Sequence, residues 1–111
     1  MEITTTRYKH SDLVKATGRI DSATAPRVAE TLNAIMDEGR YKLILDMGDV
    51  TFISSAGLRV LVNTQKACRR YNRGELALTN LPPNIHSALD LAGFTAMFQI
   101  FDDNLTAVGS F

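Results

Sequence analysis

The sequence predicts an α/β domain, with a mixed sheet of about five strands and helices packed mainly on one side. Three observations carry this. Strand-like and helix-like apolar periodicities alternate along the chain in the order ββαβαβαβα. The most apolar short run, Leu43-Ile44-Leu45, is continuous rather than alternating, as in a strand covered on both faces. The later strand–helix–strand units call for parallel strands joined by crossovers, whereas the short first loop fits an antiparallel hairpin.

Ile3 to Tyr8 is rich in threonine and compatible with a first strand. His10-Ser11-Asp12 is a turn cluster. From Leu13 to Ile20 the chain alternates, with Val14, Ala16, Gly18 and Ile20 on one side and Lys15, Thr17 and Arg19 on the other. Asp21-Ser22-Ala23-Thr24 offers several N-cap candidates, and Pro26 suits a first helical turn, where its missing N–H costs nothing. Val28, Leu32, Ile35 and Met36 form that helix's apolar stripe, with Ala25 and Ala29 beside it, and Gly39 is its stop. Tyr41 to Asp46 is the apolar strand. A second helix carries Leu58, Leu61, Val62 and Cys68 on its stripe, with Gln65 one turn before the cysteine. It runs to about Tyr71 and ends at Asn72-Arg73-Gly74. Glu75 to Thr79 is the next strand. Pro82-Pro83 opens a short helix with Ile85, Leu89 and Ala92 as apolar positions, closed by Gly93. Phe98 to Phe101 is a strand beside Glu75–Thr79, and Asp102 or Asp103 caps a last helix carrying Leu105 and Val108.

Composition narrows the function classes. At 111 residues the chain reads as one domain over 1–111, and a 45% apolar fraction is that of a folded protein. Twelve basic and twelve acidic side chains cancel, so no whole-molecule field draws it to nucleic acid or to an anionic membrane. The single cysteine excludes an internal disulfide and a cysteine-based zinc site, and its place on an apolar helical face makes Cys68 a buried structural thiol. The start, MEITTTRYKH, lacks the apolar core of a signal peptide, and no apolar run approaches the ~20 residues of a membrane span. A cytoplasmic protein is expected.

The chain is organised around Asp46 to Leu61, DMGDVTFISSAGLRVL. A strand pattern precedes Ser54-Ser55-Ala56-Gly57 and a helical pattern follows it. A serine at that junction accepts bonds from the first unpaired backbone N–H groups, the ordinary N-cap role. The same N–H groups and the helix dipole also make a seat for a phosphate.

FISSAGLRVL resembles the signature of bacterial anti-sigma factor antagonists, the STAS-domain proteins. Their motif is roughly aromatic–apolar–Asp–Ser–Ser/Ala–Gly–Leu ahead of a long helix. The upstream GRIDSATAPRVAETL is similar to that family's Gly-x-Leu/Ile-Asp turn opening the first helix. The likeness spans essentially the whole chain and implies the STAS fold. In the family, a motif serine is phosphorylated by an anti-sigma factor that is also a serine kinase of the histidine-kinase-like ATPase fold. A PP2C-type phosphatase resets the cycle, and ATP and Mg²⁺ belong to the kinase, so no cofactor is expected here. Residue by residue, the acceptor falls on Ser55. Ser54 stands where many members carry Asp and is the alternative acceptor. The implied partner surface comprises Asp21, Ser22 and Thr24 in the first turn, with Ile53, Ser54, Ser55, Ala56, Gly57, Leu58 and Arg59 around the motif.

Each of these residues also has a plain structural reading. Ser55 from spacing alone is a helix cap. Asp21 is either a cap of the first helix or part of the partner-facing surface. Asp46, ending its strand, and Asp49, in the following loop, read as capping or solvated carboxylates, because a paired-carboxylate site needs two acids converging on one atom. Arg59 points to solvent near Ser55, placed to bind a partner or pair with a phosphate. Lys66, Arg69, Arg70 and Arg73 form a basic run near a helix C-terminus, where the dipole favours cations. No GxxxxGK[ST] loop occurs, Ile53 stands where a nucleophile elbow needs glycine, and His10 and His86 share no metal-ligand spacing. The expected protein is a binding module, not an enzyme. Two rivals keep the fold: a STAS subunit of a stress-sensing or lipid-transport assembly, and a domain binding a small anionic ligand at the motif helix N-terminus.

Overall fold

The computed structural model describes all 111 residues. In chain order the elements are β1 (Glu2–Arg7), β2 (Asp12–Ile20), α1 (Ala25–Asp37), β3 (Lys42–Ile53), α2 (Ser55–Arg69), β4 (Glu75–Thr79), α3 (Pro83–Leu91), β5 (Gln99–Phe101) and α4 (Asn104–Gly109), with short 3₁₀ turns at Arg70–Asn72 and Thr95–Met97. The five strands form one sheet in the order β1-β2-β3-β4-β5. β1 is the antiparallel edge, and β2 through β5 run parallel. This is the mixed five-stranded α/β architecture that the sequence predicts.

The alternation in β2 explains its place. Val14, Ala16 and Ile20 are buried on one face, where they join Leu43, Leu45, Leu76 and Leu78, the α1 stripe of Val28, Leu32, Ile35 and Met36, Leu61 and Cys68 of α2, and Ile85 and Leu89 of α3 in a single cluster. Leu58 and Val62, expected on the α2 stripe, are only half-buried at its edge. Each fully buried leucine or isoleucine there contributes roughly 1.5–3 kcal/mol. Cys68 belongs to this cluster with its Sγ 3.8 Å from the Met36 sulfur, and burial pushes its thiol up to about 12. α4 packs against β3, β4 and β5, and the paired Ile44 and Ala77 are fully buried outside that cluster.

Two polar devices fix the layers. Gln65 of α2 is fully buried, and its amide forms two bonds with the Leu76 backbone, accepting from the N–H at 2.7 Å and donating to the carbonyl at 3.1 Å. It also donates to the Met97 carbonyl at 2.8 Å, so one side chain ties the helix to β4 and to the entry of β5. On the α4 side, the Asp46 carboxylate accepts from the Gly48 N–H at 2.9 Å, Asn80 Nδ2 at 3.2 Å and Asn104 Nδ2 at 2.9 Å.

The structure corrects several expectations. β3 does not end at Asp46 but continues to Ile53, because Thr17–Ile20 of β2 keep pairing with Asp49–Ile53 through two register shifts. Asp46 is therefore mid-strand and buried, and Asp49 lies in the strand rather than a loop, 3.0 Å from Lys15 Nζ. β1 stops at Arg7, one residue short of Tyr8. α2 ends at Arg69, and Tyr71 and Asn72 take left-handed backbone angles (φ 59° and 55°) that no helix can continue. Leu105 of α4 faces solvent at 84% exposure, and Ala107 is the buried contact. Ala92 is likewise exposed.

Candidate functional site

β4 pairs with β3 only as far as Asp46, so the ends of β2 and β3 project as a two-stranded ribbon beyond the rest of the sheet. α3 braces this ribbon, with Asn84 Nδ2 donating to the Thr51 carbonyl at 3.0 Å. At its tip, Ile20 pairs with Ile53, and the Ser54 N–H donates to the Ile20 carbonyl at 2.8 Å. The Asp21 turn and the start of α2 are thereby held side by side.

Ser54 has extended backbone (φ −89°, ψ 174°) and is the N-cap of α2, its Oγ accepting the Gly57 N–H at 3.3 Å. It is half-buried. Ser55 is the first helical residue and exposed. No acidic residue stands in the first turn of α2, so the positive end of the helix dipole is not offset there. Gly57 is required by close packing. A Cβ on it would lie 2.7 Å from Ile53 Cγ1, 2.8 Å from Ile20 Cγ2 and 3.3 Å from the Ile20 carbonyl oxygen. The helix start is thus seated directly on the ribbon.

The Asp21 turn is closed by its own polar groups. The carboxylate accepts the Ala23 and Thr24 N–H groups at 3.0 and 3.1 Å, while Thr24 Oγ1 accepts the Asp21 N–H at 2.9 Å and donates to the Arg19 carbonyl at 2.7 Å. The backbone bonds from Thr24 and Ala23 hold the Asp21 carboxyl below its ordinary value. Asp21 and Thr24 therefore shape the turn, and Ser22 and Ala23 are its exposed members.

Two shallow grooves flank the exposed face of α2. One, of about 390 Å³, runs between α2 and the end of α3 and is lined by Ser55, Leu58, Val62, Lys66 and Phe94 among others. The second, of about 230 Å³, lies between the starts of α1 and α2 and includes Ser22, Pro26, Ala56 and Val60. Arg59 and Asn63 line both and form the ridge between them. The neighbouring ribbon presents Phe52, 38% exposed, with the Arg19 guanidinium 4.3 Å above its ring and 3.9 Å from the Asp21 carboxylate. Phe52, Val60, Asn63 and Phe94 were absent from the sequence-based surface. The aromatic at Phe52 sits inside the motif and was the available signal, whereas Phe94 comes from a distant segment. The largest surface cleft, about 500 Å³, is at the other end of the sheet by the first residues of β3, β4 and β5. No three His, Cys, Asp or Glu side chains come together as a metal site, and no helix is long and apolar enough to cross a membrane.

These features define a small α/β domain that presents a capped helix start between two grooves. The chain belongs to the STAS domain family, whose model matches residues 3–107. It is 34% identical over 94 residues to BtrV of Bordetella bronchiseptica, provisionally named an anti-sigma factor antagonist, covering 85% of this chain and 80% of that one. The anti-sigma-B factor antagonist of Listeria monocytogenes is 31% identical over 91 residues, covering 82% of this chain and 78% of the relative. The fold matches that of the phosphorylated form of SpoIIAA, a Bacillus cell fate determinant, with a TM-score of 0.77, 11% identity and 98% of each chain covered.

Proposed function

We propose that this chain is an anti-sigma factor antagonist working in the cytoplasm by partner switching. In the unphosphorylated form it binds an anti-sigma factor, which is also a serine kinase of the histidine-kinase-like ATPase fold, and so releases a sigma factor. The kinase, holding ATP and Mg²⁺, transfers the γ-phosphate to Ser55 Oγ and thereby frees itself. A PP2C-type phosphatase removes the phosphate. The chain itself is a binding module and not an enzyme.

The observation that carries this reading is the division between two adjacent hydroxyls. Ser54 is half-buried and committed to the cap, whereas Ser55 is exposed at the first helical position. A phosphate on Ser55 adds about −1.5 to −2 charges at one surface point. The uncompensated helix N-terminus and Arg59, one turn on, favour that charge, so the fold tolerates it. A partner seated over the grooves would instead have to desolvate a dianion, and any facing carboxylate would repel it. The names of the sequence relatives and the phosphorylated form of a protein of the same fold support the same reading.

Phosphopeptide mapping of the protein from its own cells, beside an unmodified recombinant control, tests it. A single phosphate on Ser55 is the expected result. A phosphate on Ser54 would keep the switch and move the acceptor. No phosphate under growth, stress or stationary conditions would overturn it in favour of a STAS subunit with a non-kinase partner.

A further inference from the structure

We propose that the end of the sheet opposite Ser55 carries a second binding site, for a small soluble oligophosphate. A cleft of about 210 Å³ lies where β2 and β3 begin and brings Lys9, Arg40, Lys42 and Arg73 around a single carboxylate, Asp12. In a chain of zero formal charge, one cleft thus holds a local surplus of three permanent cations. The lone acid is already engaged, because Asp12 is buried and pairs with both Arg40 and Arg7. Lys9, Lys42 and Arg73 have no carboxylate in ion-pair range.

The two guanidinium groups are fixed in advance. Arg40 donates from Nη2 to the Tyr8 carbonyl at 2.7 Å while its Nε meets Asp12. Arg73 donates from Nε to the Arg70 carbonyl at 3.0 Å and from Nη2 to the Ala67 carbonyl at 2.9 Å, and it stacks 3.8 Å above the Tyr41 ring. Neither arginine's Nη1 has a partner within the protein. Rigid guanidinium forks with free N–H groups suit phosphate oxygens, and the ordering cost of binding falls on two flexible lysines alone. Tyr41 is the only apolar lining residue, so the cleft offers nothing to a lipid chain or a large apolar ligand. It is also distinct from the motif site, since α2 has 15 residues and separates its two ends by about 22 Å.

The test is a backbone-amide NMR titration of the full chain with inorganic tripolyphosphate, against sodium chloride of matched ionic strength. Saturable shifts are expected at Lys9–Asp12, Gly39–Lys42 and Arg73. The Lys9→Gln/Lys42→Gln variant, altered at two exposed side chains and checked for an unchanged fold by the same spectra, should bind about tenfold more weakly. Ser55→Asp should leave the affinity unchanged. The proposal is overturned if chloride produces the same shifts, if the shifts centre on Ser54–Gly57, or if the lysine variant binds as tightly as the parent.

Discussion

The Ile20 carbonyl accepts the Ser54 N–H at 2.8 Å, and this one backbone bond sets the Asp21 turn beside the first turn of α2. Residues more than thirty positions apart in sequence become neighbours on one surface. The bond can form because Gly57 lets the helix approach the ribbon without a side chain in between.

Gly57→Ala tests that approach. Its Cβ would meet Ile53, Ile20 and the Ile20 backbone, and the backbone part cannot move aside cheaply. A loss of about 1–3 kcal/mol in a urea melt is expected, as for an overpacked core, together with weaker binding to the anti-sigma partner. A variant as stable as the parent would mean that the helix start can shift freely.

The two serines should separate in their effects. Ser54→Ala removes the cap and should cost about 1 kcal/mol of stability while leaving an acceptor hydroxyl at Ser55. Ser55→Ala should leave the melt nearly unchanged, abolish phosphate incorporation and preserve partner binding. Ser55→Asp should weaken that binding. Thermal melts and kinase assays on the three variants measure each effect independently.

Gln65→Leu replaces an amide that pairs the Leu76 backbone and the Met97 carbonyl in a buried setting. The Leu76 N–H and the Leu76 and Met97 carbonyls left behind should together cost about 2–4 kcal/mol. Amide hydrogen exchange at Leu76 should quicken most, since its N–H loses its acceptor.

Acid should weaken the fold through Asp46. Burial alone raises its carboxyl, but the bonds from Asn104, the Gly48 N–H and Asn80, with the Lys15 charge, outweigh burial and hold it below the ordinary value. The folded state therefore binds this proton less readily than the unfolded chain. The stabilisation is present above the unfolded value of about 3.9 and is lost as pH falls through the lower folded value. Urea melts between pH 7 and pH 2.5 should show stability falling below about pH 4. Asp46→Asn turns an N–H toward Asn104 Nδ2, so it should cost about 1–3 kcal/mol at neutral pH and flatten the acid dependence.

The kind and order of most elements were legible from their apolar periods, and that of β1 from its run of threonines, while the motif junction was legible because two periods meet at Ser54. Local signals failed where partners were remote. Asp49 reads as a loop residue after a strand ending at Asp46, yet pairing with Thr17–Ile20 carries β3 on through it to Ile53. The role of Gln65 rests on Leu76 and Met97, and that of Asp46 on Asn80 and Asn104, none of them near in sequence. Leu105 reads as a core residue, but α4 presents Ala107 to the sheet because the Asp103 cap and the Asn104 bond to Asp46 fix its rotation. The grooves beside Ser55 draw on α1, α2 and the segment after α3, so no single stretch announces them.

The borders of the sheet bear on how this chain behaves in a crowd of its own copies. One border is β1, with three consecutive exposed threonines between Glu2 and Arg7, and the other is β5, three residues long. The first carries charge at both ends and the second is too short to template a neighbour, so strand-by-strand zipping into dimers or fibres is disfavoured. A protein that must be released by one associate before it can meet the next gains from surfaces that do not hold on to each other.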